Sequence, residues 1–169
     1  GRKGAFLVTV ALMGGATFAI GLLPSYEQAG LIAPALLDLM RILQGFALGG
    51  EYGGAAIYVA EHAPSNARGR ATSWVQTSAA FGLFGALLVI LATRLVVGHH
   101  FGPEAFDAWG WRIPFLFSAG LLAISVFMRL KLTESPAFAK MKAEGEMSHA
   151  PFSEAFGQWK NLKLVLIAL

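Results

Sequence analysis

The feature that most constrains the fold of this chain is a pair of long apolar stretches without any charged residue, residues 4–23 and 71–93. The hydrocarbon core of a bilayer is ~30 Å thick and is crossed by about twenty helical residues. Each stretch is long enough to cross it. Composition agrees, because 56% of the residues are hydrophobic and 14% are charged, with a mean hydropathy of +0.59. These values are too apolar for an ordinary soluble domain, and we predict an all-α membrane protein.

Further apolar segments extend the predicted bundle. We expect four full transmembrane helices, at about residues 4–23, 35–60, 71–97 and 113–128. Residues 133–161 are polar, mixed in charge and broken by prolines and glycines, so they are interpreted as a central cytoplasmic loop, with or without short helices. Residues 162–169 are interpreted as the start of a truncated fifth helix. Since the chain begins without methionine and stops inside this apolar run, we expect it to be a fragment.

Lysine and arginine residues lie mostly on one predicted side of the membrane. Ten of the thirteen fall there: Arg2, Lys3, Arg68, Arg70, Arg129, Lys131, Lys140, Lys142, Lys160 and Lys163. Loops rich in these residues stay cytoplasmic, so residues 98–112 are expected to form an outward loop, with Trp109 and Trp111 at the membrane interface. Because the basic residues are not gathered on one face, the pI near 9.5 does not indicate a nucleic-acid partner.

Residues suited to metal binding or catalysis are sparse. The chain has no cysteine, and its four histidines show no helical i, i+4 pairing. No nucleophile elbow, phosphate loop or cluster of His, Asp and Glu appears. We therefore expect neither a metal site nor an enzyme.

The second predicted span carries ionisable groups on one side. At 100° per residue, Gln44, Glu51 and Tyr58 fall with Arg41 on an arc about 100° wide. Arg41 and Glu51 lie roughly 15 Å apart along the helix axis. An unpaired charge in hydrocarbon costs several kcal/mol, so both residues must face protein or water. The arc is either a structural polar lock between helices or part of a pathway for a substrate or a proton.

A separate stripe of small residues follows the same helix. Gly45, Gly49 and Gly53 recur every four residues, and Gly50 with Gly54 adds another such face. Small residues at this spacing let a neighbouring helix approach closely. We assign Gly45, Gly49 and Gly53 to helix packing.

The second span and the loop after it also contain a spaced signature of glycines, aromatic residues, an acid and a base. Its positions are Leu43, Gly45, Phe46, Gly49, Tyr58, Glu61 and Arg68. This pattern resembles the sugar-porter signature of the major facilitator superfamily. Residues 1–3, GRK, are similar to the end of that superfamily's conserved loop between its second and third helices.

Three runs resemble one group within the superfamily, the metabolite:proton symporters. They are GGEYGG at residues 49–54, WGWRIPF at residues 109–115 and ESPAF at residues 134–138. The resemblance covers nearly the whole chain. It implies that residues 1–132 form helices three to six of the N-terminal half of a twelve-helix bundle, and that residues 162–169 begin helix seven.

The resemblance also implies a function. It predicts a secondary active transporter that moves a small organic acid or zwitterionic metabolite with protons across the bacterial inner membrane by alternating access. The expected partners are the lipid bilayer, the solute and protons, with a proton gradient as the driving force, no cofactor, and a monomeric full-length protein. The alternatives are a sugar porter, a drug exporter or a non-transporting membrane sensor on the same fold.

Four residues of the polar arc, Arg41, Gln44, Glu51 and Tyr58, are assigned to the substrate or proton pathway. The resemblance places Arg41 where related porters carry an arginine that faces an acid on helix one, so Arg41 is expected to modulate a proton-accepting carboxylate or to bind an anionic substrate. Glu51 is expected near mid-membrane, lining the central cavity, where it binds substrate or titrates. A buried carboxylate is sensitive to both desolvation and a nearby cation, which suits proton coupling.

Two residues outside this helix join the predicted pathway. Gln76 on the third span offers neutral hydrogen-bonding groups. Arg112, at the outer mouth of the fourth span, either attracts an incoming carboxylate or caps the interface.

A second group is expected to latch the cytoplasmic side. By resemblance, Glu61 and Arg68 flank the loop after the second span and join Arg2 and Glu134 in a cytoplasmic gate network. Surface ion pairs are worth only ~0–1 kcal/mol each, yet a few linked pairs shift a two-state equilibrium severalfold.

Overall fold

The computed structural model contains helices and no strand within the residues it describes, which are residues 2–131, Lys140, residues 143–144 and residues 156–168. The elements are α1 (Arg2–Ile20), α2 (Tyr26–Ala29), α3 (Ile32–His62), α4 (Arg68–Phe101), a π-helix (Phe106–Gly110), α5 (Arg112–Leu130) and α6 (Trp159–Ala168). The predicted all-α class is confirmed. The chain divides into two units, residues 1–134, which hold α1 to α5, and residues 135–169, which hold α6.

Three of the described helical segments are long and apolar enough to cross a bilayer: Ile32–His62, Arg68–Phe101 and Phe106–Leu130. The first predicted span is represented by a shorter apolar helix, Gly4–Ile20. Its regular part stops before Leu23 because the chain tightens into i to i−3 hydrogen bonds, such as the 3.0 Å bond from Gly21 N to Phe18 O. Pro24 then follows, which cannot continue the helix.

The core of the first unit is centred on α1, which packs against both α3 and α5. Four of its apolar residues are buried: Phe6, Val10, Ala16 and Ile20. Helix α4, in contrast, buries only Val97 among its described residues, and large apolar side chains such as Phe81 are 69% exposed. Contact of such an apolar surface with water is unfavourable, and a bilayer or neighbouring helices would cover it.

Helix α1 is antiparallel to both α3 and α5, as the order of its contacts along each helix shows. Thr17 meets Gln44, whereas Thr9 lies beside Gly50, so α1 and α3 are antiparallel. Gly14 lies against Leu122 of α5, which is likewise antiparallel to α1 because Gly21 contacts the earlier part of that helix. Short connections between successive helices favour this arrangement.

Most of the predicted outward loop at residues 98–112 is helical, whereas the side of the membrane that it faces stays a prediction. Helix α4 continues to Phe101 and ends at Gly102, whose φ of +97° suits a residue without a side chain. The π-helix follows and packs back on α4: a Cβ at Gly110 would lie 2.9 Å from Val97 Cγ1. The rings of Phe101 and Trp109 meet edge to face at 5.4 Å. These contacts stabilise a largely helical conformation of residues 98–112, where the sequence indicated a loop.

The two glycine faces of α3 have different surroundings in the structure. Among the described residues, nothing lies within 4 Å of a Cβ placed at Gly45, Gly49 or Gly53. Close packing occurs instead at the neighbouring face, where a Cβ at Gly50 would lie 2.9 Å from Thr9 Cγ2. A Cβ at Gly54 would lie 2.7 Å from Phe6 Cε1, with both contacts on α1. Helix α1 therefore packs on the face of Gly50 and Gly54, and the packing role of Gly45, Gly49 and Gly53 stays a prediction.

We predict that Gly54→Ala destabilises the full-length protein, because the added carbon would lie 2.7 Å from Cε1 of the buried Phe6 ring. Overpacking of this kind costs about 1–3 kcal/mol. Thermal unfolding of detergent-purified protein would measure the loss. Gly53→Ala is the matched control, since the site is open and alanine favours a helix by up to about 1 kcal/mol. Equal unfolding temperatures for the two variants would contradict the assigned packing face.

Candidate functional site

A cleft of about 200 Å³ opens between α1, α3 and α5. Four of the lining residues are polar: Thr17, Glu51, Ser118 and Ser125. The others are Val10, Met13, Gly14, Leu121 and Leu122. Small-molecule sites have this character, with mostly apolar walls and a few polar groups that fix orientation. Glu51 is the only ionisable residue in the lining.

The cleft depends on matching registers in two helices. On α1 the lining residues follow the i, i+3, i+4, i+7 pattern from Val10, and on α5 they follow the same pattern from Ser118. This spacing places them on one face of each helix. Gly14 lets Leu122 approach, since a Cβ there would lie 2.5 Å from Leu122 Cδ1. The sequence analysis did not select Thr17, Ser118 or Ser125, although this register was visible in it.

Glu51 forms an ion pair with Arg129, which lies in the last turn of α5. Arg129 Nη2 donates a hydrogen bond to Glu51 Oε1. The side chains are 18% exposed for Arg129 and 26% exposed for Glu51, so the pair is largely screened from solvent. From the sequence, Arg129 is one of ten basic residues on the cytoplasmic side, and no local pattern marks it as the partner of Glu51.

The Phe6 ring supports this ion pair from α1. The guanidinium carbon of Arg129 lies 5.0 Å from the centroid of the Phe6 ring, a cation–π distance. Tyr58 of α3 meets the same ring edge to face at 6.2 Å. Tyr58, predicted to belong to the pathway, therefore contributes to the packing around the pair.

The depth of Glu51 is indicated by its neighbours. The preceding residue, Gly50, lies against Thr9 near the middle of α1, whereas the partner of Glu51, Arg129, is one residue from the end of α5. The position of Glu51 near mid-membrane stays a prediction.

The outer part of the polar arc forms a second hydrogen-bonded group. Gln44 Nε2 donates to Thr17 Oγ1 at 2.8 Å, and Thr17 in turn donates to the Met13 carbonyl at 2.8 Å. Arg41 Nη1 reaches Gln44 Oε1 at 3.5 Å, a long contact from an exposed side chain. Gln44, Glu51 and Tyr58 face α1, whereas the exposed Arg41 contacts only Gln44 of its own helix among the described residues.

Gln76 is engaged between α3 and α4, away from the cleft. Its Oε1 accepts a hydrogen bond of 2.7 Å from the hydroxyl of Tyr52. Tyr52 was not identified from the sequence, because only its pairing with another helix gives it a role.

Arg112 links the end of α1 to the start of α5. Its Nη2 donates to the Leu23 carbonyl at 3.1 Å, and its Nη1 lies 3.4 Å from the Ala108 carbonyl. The guanidinium also lies over the Trp111 ring, 4.4 Å from its centroid. Of the two roles considered, capping is the one that these contacts favour.

The predicted cytoplasmic gate network is described only in part. Glu61 is half-buried near the end of α3, and the exposed Arg68 begins α4. Arg2 begins α1, but its side chain lies outside the described part of the chain, as does Glu134. The latch remains a prediction.

Comparisons with known proteins agree on a family. The family model described as "Sugar (and other) transporter" matches residues 1–162. A putative metabolite transport protein of Haemophilus influenzae is 41% identical over 167 residues, covering 99% of this chain and 37% of that protein. The glycine betaine/proline/ectoine/pipecolic acid transporter OusA of Dickeya dadantii is 44% identical over 139 residues, covering 82% of this chain and 27% of that protein.

A third relative is the inner membrane metabolite transport protein YhjE of Escherichia coli, 43% identical over 141 residues, covering 83% of this chain and 31% of that protein. The chain therefore spans roughly a third of the length of the curated relatives it matches. No solved structure matches it.

For Arg112 we predict a loss of stability without a loss of solute affinity. Arg112→Gln removes a charge-assisted hydrogen bond to the Leu23 carbonyl, which is worth about 1.5–3 kcal/mol. Unfolding temperature and solute dissociation constant would be measured on the same full-length preparations. Arg94→Gln is the control, since Arg94 is exposed and lies 6.0 Å from the Phe106 ring centroid. Weakened solute binding with an unchanged unfolding temperature would instead support the alternative role, in which Arg112 attracts the substrate.

Proposed function

We propose that this chain, which belongs to the sugar (and other) transporter family of the major facilitator superfamily, supplies helices three to six of a carrier that imports a small zwitterionic or acidic metabolite with protons. Members of this family are transporters and not enzymes. The carrier would act in the bacterial inner membrane, as the name of the Escherichia coli relative states for that protein. Three described helices of sufficient length and apolarity support a membrane location.

The observation that carries the proposal is Glu51 as the one ionisable residue among the described residues that line a mostly apolar cleft. A carboxylate attracts the cationic group of a zwitterion, and the apolar wall around it accepts methyl or methylene groups. Every solute in the printed name of the Dickeya dadantii relative has a small apolar body and both charges. We favour such zwitterions over dicarboxylates, because the charge of Glu51 opposes an anion.

Proton coupling is the second part of the proposal. Arg41 lies ten residues before Glu51 on the same helix, and its side chain is exposed. In the full-length carrier Arg41 would modulate a separate proton-accepting carboxylate, which leaves Glu51 free to bind the solute while the proton is carried. The proton gradient would supply the driving force, and no cofactor is required.

A sugar porter is the weaker candidate. Sugars need many hydrogen-bonding partners, and a site that leaves hydroxyl groups unpaired binds them poorly. In the cleft, Thr17 already donates to the Met13 carbonyl, and Ser118 donates to the Phe115 carbonyl at 2.6 Å. Their donor hydrogens are not available to a sugar in this conformation. A non-transporting sensor differs from a carrier in that it would not accumulate solute.

We predict that vesicles containing the full-length carrier accumulate a labelled betaine or proline faster when an inward proton gradient is imposed. A panel that also includes labelled dicarboxylates and sugars would define the solute class. Glu51→Gln is expected to reduce gradient-driven uptake at least tenfold, about 1.4 kcal/mol, because it removes the charge that binds the solute. The control is Glu27→Gln, an exposed acid on the short helix α2.

Two results would contradict this proposal. Equal uptake with and without the proton gradient would contradict proton coupling. Normal gradient-driven uptake by the Glu51→Gln variant would contradict the assignment of Glu51 to the solute site. Binding without accumulation would favour the sensor.

A further inference from the structure

We infer that Arg129 is a positioning residue of the solute site: an internal counter-charge that occupies the Glu51 carboxylate until the cationic group of a solute replaces it. The inference rests on the proposed function and extends it, since it identifies what the solute must displace. It also specifies the solute's recognised end as a cation, such as a substituted ammonium group.

The first argument is the isolation of the pair. Glu51 is on α3 and Arg129 is on α5, and each is mostly shielded by the helices around it. A charge in such surroundings is costly unless it has a partner. Among the described residues, Glu51 is the only carboxylate in an ion pair with Arg129. Removal of either charge therefore leaves the other needing a replacement.

The second argument is that the two charges approach from different sides. Glu51 lines the cleft, whereas Arg129 does not. A cation that enters the cleft thus reaches the carboxylate without first crossing the guanidinium. The two cations then compete for the charge of one carboxylate, whose Oε1 accepts a hydrogen bond from Arg129, and Arg129 acts as a built-in competitor of the solute.

The third argument is that Arg129 has a second favourable contact when the carboxylate is taken. Its guanidinium lies 5.0 Å from the centre of the Phe6 ring. Phe6 is 7% exposed and is held between Gly54 and Tyr58, so the ring stays in place. The cation–π contact persists through an exchange and lowers its cost.

The cleft wall completes the case for a cationic group. Val10, Met13 and Leu121 line the space next to Glu51. Apolar side chains beside a carboxylate suit an ammonium that carries carbon substituents, because its positive charge is spread beneath an apolar surface. A dicarboxylate would gain nothing from Glu51 and would meet its repulsion.

Competition of this kind has a measurable consequence. The apparent dissociation constant of a solute equals the intrinsic constant divided by the fraction of sites that are open. If Arg129 occupies Glu51 for about 80–90% of the time, its removal tightens binding by about five- to tenfold. A purely structural ion pair predicts the opposite, since its loss would loosen the site.

The test is equilibrium binding of glycine betaine and of succinate to the purified full-length carrier. Measurements at about pH 8 keep an unpaired carboxylate ionised. We expect Arg129→Gln to bind glycine betaine about five- to tenfold more tightly and Arg129→Lys about twofold more tightly, because lysine lacks the planar fork. Glu51→Gln and the double variant Glu51→Gln/Arg129→Gln should both lose binding to the same degree.

The matched control is Lys131→Gln, since Lys131 is the neighbouring cation and lies over the Phe127 ring at 4.3 Å. It should leave the affinity unchanged. Unchanged or weaker betaine binding by a folded Arg129→Gln overturns the inference, and Arg129→Lys decides by the same criterion if the glutamine variant does not fold. Tighter binding of succinate instead of betaine also overturns it. If the unmodified carrier binds neither probe, the proposed function itself fails.

Discussion

The cost of an uncompensated charge inside a helical bundle organises this structure. Glu51 and Arg129 lie on different helices, and either one alone would be destabilising in largely apolar surroundings. Their ion pair requires the last turn of α5 to lie close to α3 at Glu51. Helix α1 fills the space beside them, with the Phe6 ring under the guanidinium and against Gly54. The ion pair thereby links α3 to α5 beside α1, which packs against both helices.

The same arrangement creates the candidate site. Since α1 is held close to α3 and α5, the residues at matching positions on α1 and α5 face each other across a narrow cleft. One wall exposes the Glu51 carboxylate that the bundle had to neutralise. Glu51, whose charge balances that of Arg129, can thus also bind a solute, provided that the cationic group of the solute can replace Arg129. Helix α4 contributes less to this core and leaves its apolar surface for lipid or for other helices.

Much of this architecture follows from the sequence, because bilayer thickness fixes helix length and an ionisable residue in a span must face protein or water. Three residues of the arc, Gln44, Glu51 and Tyr58, do face α1, whereas Arg41 is exposed. What periodicity within one helix cannot supply is the partner. Nothing local marks Arg129 as different from the other basic residues near helix ends. Equally, Gly45, Gly49 and Gly53 have the same spacing as Gly50 and Gly54, and only the position of α1 distinguishes the two faces.

The most direct test of this account is a charge-reversal cycle on Glu51 and Arg129 in the full-length protein, with the unfolding temperature as the measurement. Glu51→Arg and Arg129→Glu should each destabilise strongly, since each places two like charges together. The double variant should recover most of the loss, with a coupling energy of about 0.5–3 kcal/mol. If the losses of the two single variants simply add in the double variant, the two side chains do not compensate each other and the organising interaction is absent.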